Sequence, residues 1–211
     1  MLDPRRLLLI GCAFLAAAGG VAAAETVYLE ADFNDKPVNR PIETGGPTVG
    51  EPIAVDTGII TAIVREGPMG SQSLEIGDDD VFSAGYVEFG FLGDAELTAG
   101  IVVIAADLWF PPLGEGRSYS VIVREQAGAA DNFASLIFGA AGEIQLGDAA
   151  GYPGVIASYQ PERTTRLILE YDMDSGTYDI WVDGVRVVDD RSHGITESGV
   201  GSLYFGCVHD P

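Results

Sequence analysis

The stretch Arg166–Val188, RLILEYDMDSGTYDIWVDGVRVV, leaves this chain little freedom in how it folds. Asp183-Gly184 lies between Val182 and Val185. A two-residue Asp-Gly loop has φ > 0 at both positions and joins two antiparallel strands in a fixed register. That register sets Val182 opposite Val185, Trp181 opposite Arg186, Ile180 opposite Val187 and Asp179 opposite Val188. Upstream, Asp174-Ser175-Gly176-Thr177 reads as a second turn. Placing Met173 opposite Tyr178 then sets Tyr171 opposite Ile180 and Leu169 opposite Val182. Met173, Tyr178, Tyr171, Ile180, Leu169, Val182, Val185 and Val187 then share one face. A slip of one residue would turn a strand's whole apolar set into water, so the agreement of the two hairpins argues for a three-strand ribbon.

The opposite face of the ribbon carries Glu170, Trp181 and Arg186 in a row, with Asp172, Asp179 and Val188 beside it. The register predicts a cation–π contact between Trp181 and Arg186. It also sets Asp172 against Asp179, a like-charge pair that a sheet disfavours. Arg186, a bound cation or solvent at a strand end would relieve it.

Residues Met1–Ala24 read as a secretory signal peptide: Arg5-Arg6, an apolar run from Leu7 to Val21, and small residues at Ala22-Ala23-Ala24, with cleavage before Glu25. A lipobox at Leu9-Ile10-Gly11-Cys12 is a rival reading, but the apolar run before Cys12 is short and continues past it. The glycines in the run argue against a retained membrane anchor, which needs about 20 apolar residues. Cleavage leaves 187 residues, Glu25 to Pro211, enough for one domain with a sizeable core. The expected location is secreted, extracellular or periplasmic. Cleavage also removes Cys12, so Cys207 remains alone; it reads as buried in a strand, with pairing between chains as the alternative.

Charge narrows the partners. Taking Arg5 and Arg6 from 11 basic residues and Asp3 from 32 acidic ones leaves a net charge of −22, with Lys36 the single lysine. Nucleic acid is excluded, because phosphate binding needs clustered Lys and Arg. Anionic membranes and acidic polysaccharides are disfavoured unless a divalent cation bridges them.

Beyond the leader no sustained 3.6-residue period appears. Strands are predicted at Thr26–Phe33, Ile59–Arg65, Ser73–Ile76, Tyr86–Phe91, Ile101–Phe110, Arg117–Glu125, Ala134–Phe138, Glu143–Leu146, Val155–Tyr159, through the ribbon, and at Val200–Val208. About a dozen short strands with regular turn signals describe an all-β, two-sheet antiparallel sandwich. Either Val200–Val208 closes the sandwich against Thr26–Phe33, or one edge of Thr26–Phe33 is left unpaired and invites self-association or a missing C-terminal segment.

Ala106-Asp107-Leu108-Trp109-Phe110-Pro111 and Tyr178-Asp179-Ile180-Trp181-Val182-Asp183-Gly184 resemble the corresponding strand and penultimate hairpin of laminin G-like domains. The resemblance implies a concanavalin A-like jelly roll across residues 25–211. It implies an extracellular module, commonly non-catalytic, that binds glycans or proteins and often holds a structural calcium ion.

Glycan-cleaving relatives of that fold carry Glu-x-Asp-x-x-Glu. Here Glu170-Tyr171-Asp172 is followed by Ser175 where the last Glu belongs, so no catalytic residue is assigned, and a glycoside hydrolase or lyase stands as the alternative. His193 and His209 lie in turn-like or terminal segments and read as solvated. Trp181, Arg186, Glu170, Asp107 and Trp109 are the expected ligand-binding residues, since aromatic faces beside polar groups suit sugar rings. Each Trp has a plainer reading as core filler. Asp172, Asp179 and Asp174 are the expected calcium ligands, because the ion wants six or more oxygens. A structural or interaction sandwich with featureless faces is a further alternative.

Overall fold

The computed structural model describes residues 6–10, 29, 31, 33–34, 36–42, 54–55, 60–67, 72–78, 85–91, 95–114, 117–125, 132–148, 151–195 and 198–209. Its strands in chain order are β1 (Arg6–Ile10), β2 (Ala54–Val55), β3 (Ile60–Glu66), β4 (Gln72–Asp78), β5 (Gly85–Gly90), β6 (Ile101–Trp109) and β7 (Arg117–Arg124). They continue with β8 (Asn132–Gly139), β9 (Glu143–Asp148), β10 (Gly151–Ser158), β11 (Thr164–Asp172), β12 (Thr177–Val182), β13 (Val185–Ser192) and β14 (Ser202–His209). The first sheet runs β13-β12-β11-β6-β1-β4-β3 and the second β10-β9-β8-β7-β14-β5-β2. The fold is an all-β, antiparallel two-sheet sandwich of the jelly-roll kind.

Alternation decides which residues meet between the sheets. Val102, Ile104, Ala106 and Leu108 of β6, with Leu167, Leu169 and Tyr171 of β11, face Val121, Leu136, Leu146 and Phe205 across one apolar core. Cys207 is buried in β14. β14 pairs with β5 on one side and β7 on the other, so Val200–Val208 does not close against Thr26–Phe33. Of that N-terminal stretch, Leu29, Ala31 and Phe33 are buried and outside any strand; the expectation of an unpaired edge otherwise lies outside the described residues. β1 falls within the expected leader and lies in the middle of the first sheet, between β4 and β6.

β11 and β12 turn the expected faces inward, whereas β13 does not, and the register differs. Asp183 (φ 50°) and Gly184 (φ 80°) make the tight turn, with Val182 opposite Val185 and Trp181 opposite Arg186. In the other hairpin each β11 residue pairs with a β12 residue two positions earlier than expected. Asp172 pairs with Thr177, Tyr171 with Tyr178, Leu169 with Ile180 and Glu170 with Asp179. The cause is local. Asp172 Oδ1 accepts hydrogen bonds from the N–H groups of Asp174 and Ser175, and Gly176 N–H bonds Asp172 O, so the turn is built on Asp172. The expected Asp172–Asp179 repulsion is therefore not present. These N–H donors also hold the Asp172 carboxyl below its ordinary pKa.

Two bulges in β13 shift Ile180 to Val188 and Tyr178 to Arg191. Val188, not Val185 or Val187, is the buried valine of this strand, and Val185 is 63% exposed. The bulges bring Arg191 opposite the inward Tyr178. From there Arg191 Nε and Nη2 donate to Asp148 Oδ2 and Oδ1 of the other sheet, at 2.6 and 3.0 Å. Tyr178 Oη donates to the same carboxylate. Asp148 has no exposed side-chain surface. The clamp joins β9 to β12 and β13 where the two sheets end.

His193 lies beside this clamp and is buried, not solvated as expected. Its ring packs 5.0 Å from Phe133 and 6.5 Å from Tyr171. Its Nδ1 accepts from the Ile195 N–H, so the neutral ring carries its proton on Nε2. Protonation would place a second N–H where an acceptor is used. Burial holds the His193 pKa below its ordinary value, against a smaller opposing pull from Asp148.

Asp148→Ala is expected to lower the unfolding free energy by about 3 kcal/mol, the low end of the range for removing one partner of a buried pair. The low end applies because Arg191 keeps 28% of its side chain exposed. Urea unfolding measures this; a loss under about 1 kcal/mol would equate the clamp with a surface pair. For His193, the unfolded chain takes up its proton first as pH falls. Stability is therefore present above about pH 6.5 and is lost as pH drops toward the lowered folded pKa. The urea midpoint of the wild type should fall more steeply between pH 7 and pH 5 than that of His193→Gln. Parallel curves would show that the imidazole carries none of the acid sensitivity.

Candidate functional site

The outward residues of the first sheet fall into three rows. Inward burial of Ile104, Ala106, Leu167, Leu169, Ile180 and Val182 puts Val103, Ala105, Asp107, Arg166, Ile168, Glu170, Asp179 and Trp181 on the other side. Ala105, Ile168, Trp181 and Arg186 are direct partners across β6, β11, β12 and β13. Asp107 and Arg166 form the row on one side; Val103, Glu170 and Asp179 form the row on the other. An apolar strip thus runs between two polar margins.

Each margin is held by ions. Arg166 Nη1 lies 2.6 Å from Asp107 Oδ2. The Arg166 N–H donates to Asp183 Oδ1 at 2.7 Å, fixing the strand to the Asp-Gly turn. Arg186 Nη2 lies 2.5 Å from Asp179 and 2.6 Å from Asp189, while its guanidinium carbon sits 5.5 Å from the centre of the Trp181 ring. The hydrogen bond to Asp179 raises the Arg186 pKa above its ordinary value, against a smaller desolvation effect. Trp181 and Arg186 are stacked as the Asp-Gly register predicts.

The other expected site residues are distributed less simply. Trp109 faces outward on β6 but is only 9% exposed, so it offers solvent no free ring. Glu170 sits directly opposite Asp179 and not beside Trp181. The three aspartates expected around calcium are separated by function. Asp172 caps its own turn, and Asp174 Oδ1 accepts from the Gly100 N–H at 3.1 Å. Asp179 groups instead with Asp189 and Asp190, whose carboxylate oxygens come within 4.8 Å of one another. Arg186 already supplies a positive charge there, and the Asp190 N–H donates to Asp179 at 2.7 Å.

Sequence reasoning missed a second polar cluster, on the outer face of the second sheet. Arg124 lies over the Tyr204 ring at 4.1 Å, and Tyr204 stacks on Tyr86 at 4.9 Å. Glu88 is 2% exposed. It accepts from Ser202 Oγ at 2.9 Å and lies 3.6 Å from Arg124 Nη1. Gly206 makes the arrangement possible: a Cβ there would stand 2.6 Å from the Tyr204 ring and 2.9 Å from Ser120 Oγ. Burial raises the Tyr204 pKa, with Arg124 pulling the other way. Alternation in Arg117–Glu125 put Arg124 on an outer face. Nothing in that strand alone shows that β14 and β5 lie beside it.

The sequence matches no protein-family model and no curated protein sequence. Among solved structures, a sialidase superposes with a TM-score of 0.50 at 12% identity, over 83% of this chain and 13% of its own. A Trypanosoma rangeli sialidase gives 0.38 at 8% identity over 81% of this chain and 41% of its own. A family 7 alginate lyase gives 0.42 at 10% identity, over 97% of this chain and 94% of its own. This chain therefore spans well under half the length of either sialidase, and what the first superposition establishes is the shared β-sandwich.

Proposed function

We propose that this protein is an exported, non-catalytic glycan-binding sandwich, akin to laminin G-like modules, that holds sugar through the outer face of its first sheet. One observation carries the reading: the apolar row Ala105–Ile168–Trp181 lies between the Asp107–Arg166 and Glu170–Asp179 rows. A sugar ring presents an apolar C–H face and equatorial hydroxyls, which such a strip and its margins complement. Arg186, held by Asp179 and Asp189, keeps the indole in one orientation. The net charge of −21 disfavours a polyanionic ligand, so neutral glycans suit the face best. An extracellular glycoprotein would present the same chemistry. Calcium is not needed for this reading, in which Arg186 supplies the counter-charge that holds the indole.

A glycan-cleaving enzyme is the second reading, favoured by Glu170 standing directly opposite Asp179. Paired carboxylates can cleave a glycoside when one serves as acid and the other as base or nucleophile. Asp179 is poorly suited to the second role. Its Oδ1 is held by Arg186 and by the Asp190 N–H.

Trp181→Ala is expected to weaken binding to a neutral oligosaccharide by roughly tenfold or more, equivalent to about 1.4 kcal/mol. Glu170→Gln should leave affinity within about threefold, a change under about 1 kcal/mol. Calorimetry against a panel of neutral and uronate oligosaccharides, with reducing-end release followed in parallel, makes the decision. New reducing ends that disappear in Glu170→Gln would establish the enzyme instead.

A further inference from the structure

We propose that His193 is an acid-sensitive latch on β13. With the ring neutral, the far half of the strand stays closed and Arg186 stays over Trp181. With the ring protonated, that half opens and the outer face of the first sheet loses its hold on sugar. The link to sugar rests on the glycan reading above; the latch itself does not.

β13 lies at an edge of the first sheet and, among the described strands, pairs with β12 alone. Its ladder is broken by two bulges, and the side chains of Asp189 and Asp190 are mostly exposed. Beyond Val188, two side chains anchor the strand to the rest of the molecule. Arg191 holds Asp148 of β9, and the His193 ring packs on Phe133 of β8 and Tyr171 of β11. The His193 N–H donates to Gly176 O, and His193 Nδ1 accepts from the Ile195 N–H, both at 3.2 Å. An edge segment with so few anchors opens at a lower free energy than the sheet behind it.

The closed form requires a neutral ring. His193 Nε2 is buried and has no hydrogen-bond partner among the described residues, and Nδ1 is already an acceptor. Protonation aims a new hydrogen from Nδ1 at the Ile195 N–H and buries a charge that no free acceptor meets. The titratable groups around the ring are Tyr171, Tyr178 stacked on it, and Asp148 with its partner Arg191. Asp172 stands on the turn that carries Gly176, and its carboxylate is held by the N–H groups of that turn. Burial raises Tyr171 and Tyr178 above their ordinary pKa, and the hydrogen bonds to Asp148 raise Arg191, so these three do not titrate in mild acid. Asp148 already accepts from Arg191 and Tyr178. A charged imidazole must leave its place or displace Arg191 from Asp148, and either frees the far half of β13.

Opening reaches the outer face through the residues just before the anchors. The Asp190 N–H donates to Asp179 Oδ1, and Arg186 is held by Asp179 and Asp189 while it lies over Trp181. When residues 189–192 leave β12, Asp189 goes with them and Asp179 loses its backbone donor. The guanidinium is then less firmly held over the indole, and binding must order that ring again. In the open form the imidazole regains its ordinary pKa of about 6.5. The ratio of open to closed protein therefore rises as pH falls through that value, by up to about tenfold between pH 7.5 and pH 5.5.

Amide hydrogen exchange of the wild-type protein reads the latch without any glycan. Protection at Asp190, His193 and Ile195, corrected for the intrinsic effect of pH, should fall by up to about tenfold from pH 7.5 to pH 5.5. At both pH values it should lie well below the protection of Ile104 and Leu169 in the central strands, and urea should change it little. In His193→Gln, whose side-chain oxygen can still accept from the Ile195 N–H, the fall should be under about twofold. A neutral oligosaccharide from the calorimetric panel, at about 100 times its Kd, should slow exchange at the three amides by up to about a hundredfold, because it holds the closed form. The latch is overturned if wild-type protection changes by less than about twofold, or if the three amides exchange only as slowly as Ile104 and Leu169. Both results come from the wild type, so they stand even if His193→Gln does not fold. A sugar that binds by calorimetry yet leaves this exchange unchanged overturns the link to the face. If no sugar binds, the glycan reading fails, and the exchange profile still decides the latch.

Discussion

A buried carboxylate governs this sandwich. Asp148 ends β9 with no side-chain surface in water, a position that costs several kcal/mol unless the charge is matched. Arg191 and Tyr178 match it from the other sheet. The far half of β13 meets that requirement. A regular ladder from the Asp-Gly turn would carry Arg191 past Tyr178, and two bulges are what bring it back into line. The bulged strand then carries Asp189 and Asp190 on the side where Asp179 and Arg186 stand. The interior ion pair and the exterior charge cluster are thus two outcomes of one local irregularity.

That irregularity also marks what the sequence can tell. Face is a parity and survives an error of two residues, which is why Tyr171, Leu169, Ile180 and Val182 all sit inside although the first hairpin closes on Asp172. Register is a count, and it depends on which residue starts the turn. The Asp-Gly turn announces itself because only a few residue pairs take φ > 0 twice. The Asp172–Gly176 turn is set by side-chain acceptance at Asp172, and Asp172, Asp174 and Ser175 are all credible starts by composition. Bulges leave no mark on alternation, so Val187 was expected where Val188 is buried. Contacts between strands far apart in sequence were equally hidden. Arg124, Tyr204 and Glu88 meet because β14 inserts between β7 and β5, and no single strand encodes that order. His193 was misplaced for the same reason: its burial comes from Phe133 and Tyr171, on two other strands.

The few cations of this chain explain how so acidic a protein keeps ordered faces. Arg166, Arg186 and Arg191 each contact a carboxylate at 2.6 Å or less, and Arg124 divides its charge between Glu88 and the Tyr204 ring. Surface pairs of this kind contribute little stability one by one. Their effect is on geometry, since a guanidinium held by a carboxylate stays over the aromatic ring beneath it. Arg186 does this for Trp181, and Arg124 for Tyr204. Cations committed in this way are not available to attract a polyanion.

The two outer faces nevertheless differ in how a ligand would meet them. On the second sheet, Glu88 is nearly enclosed, and the unpartnered atoms Ser120 Oγ, Arg124 Nε and Asn132 Oδ1 are all buried among the described residues. Groups so covered cannot touch a sugar without moving aside, and moving them breaks the Arg124–Tyr204–Tyr86 stack. On the first sheet the polar groups stand at the margins, Ile168 and Trp181 are partly exposed between them, and Arg186 already holds the indole in place. Preorganisation of that sort lowers the entropic cost of binding. The difference traces back to side-chain size along the central rows. Ile168 and Trp181 stay partly exposed beside the buried Ala105, whereas Gly206 and Ser120 let Tyr204 lie close against its own sheet.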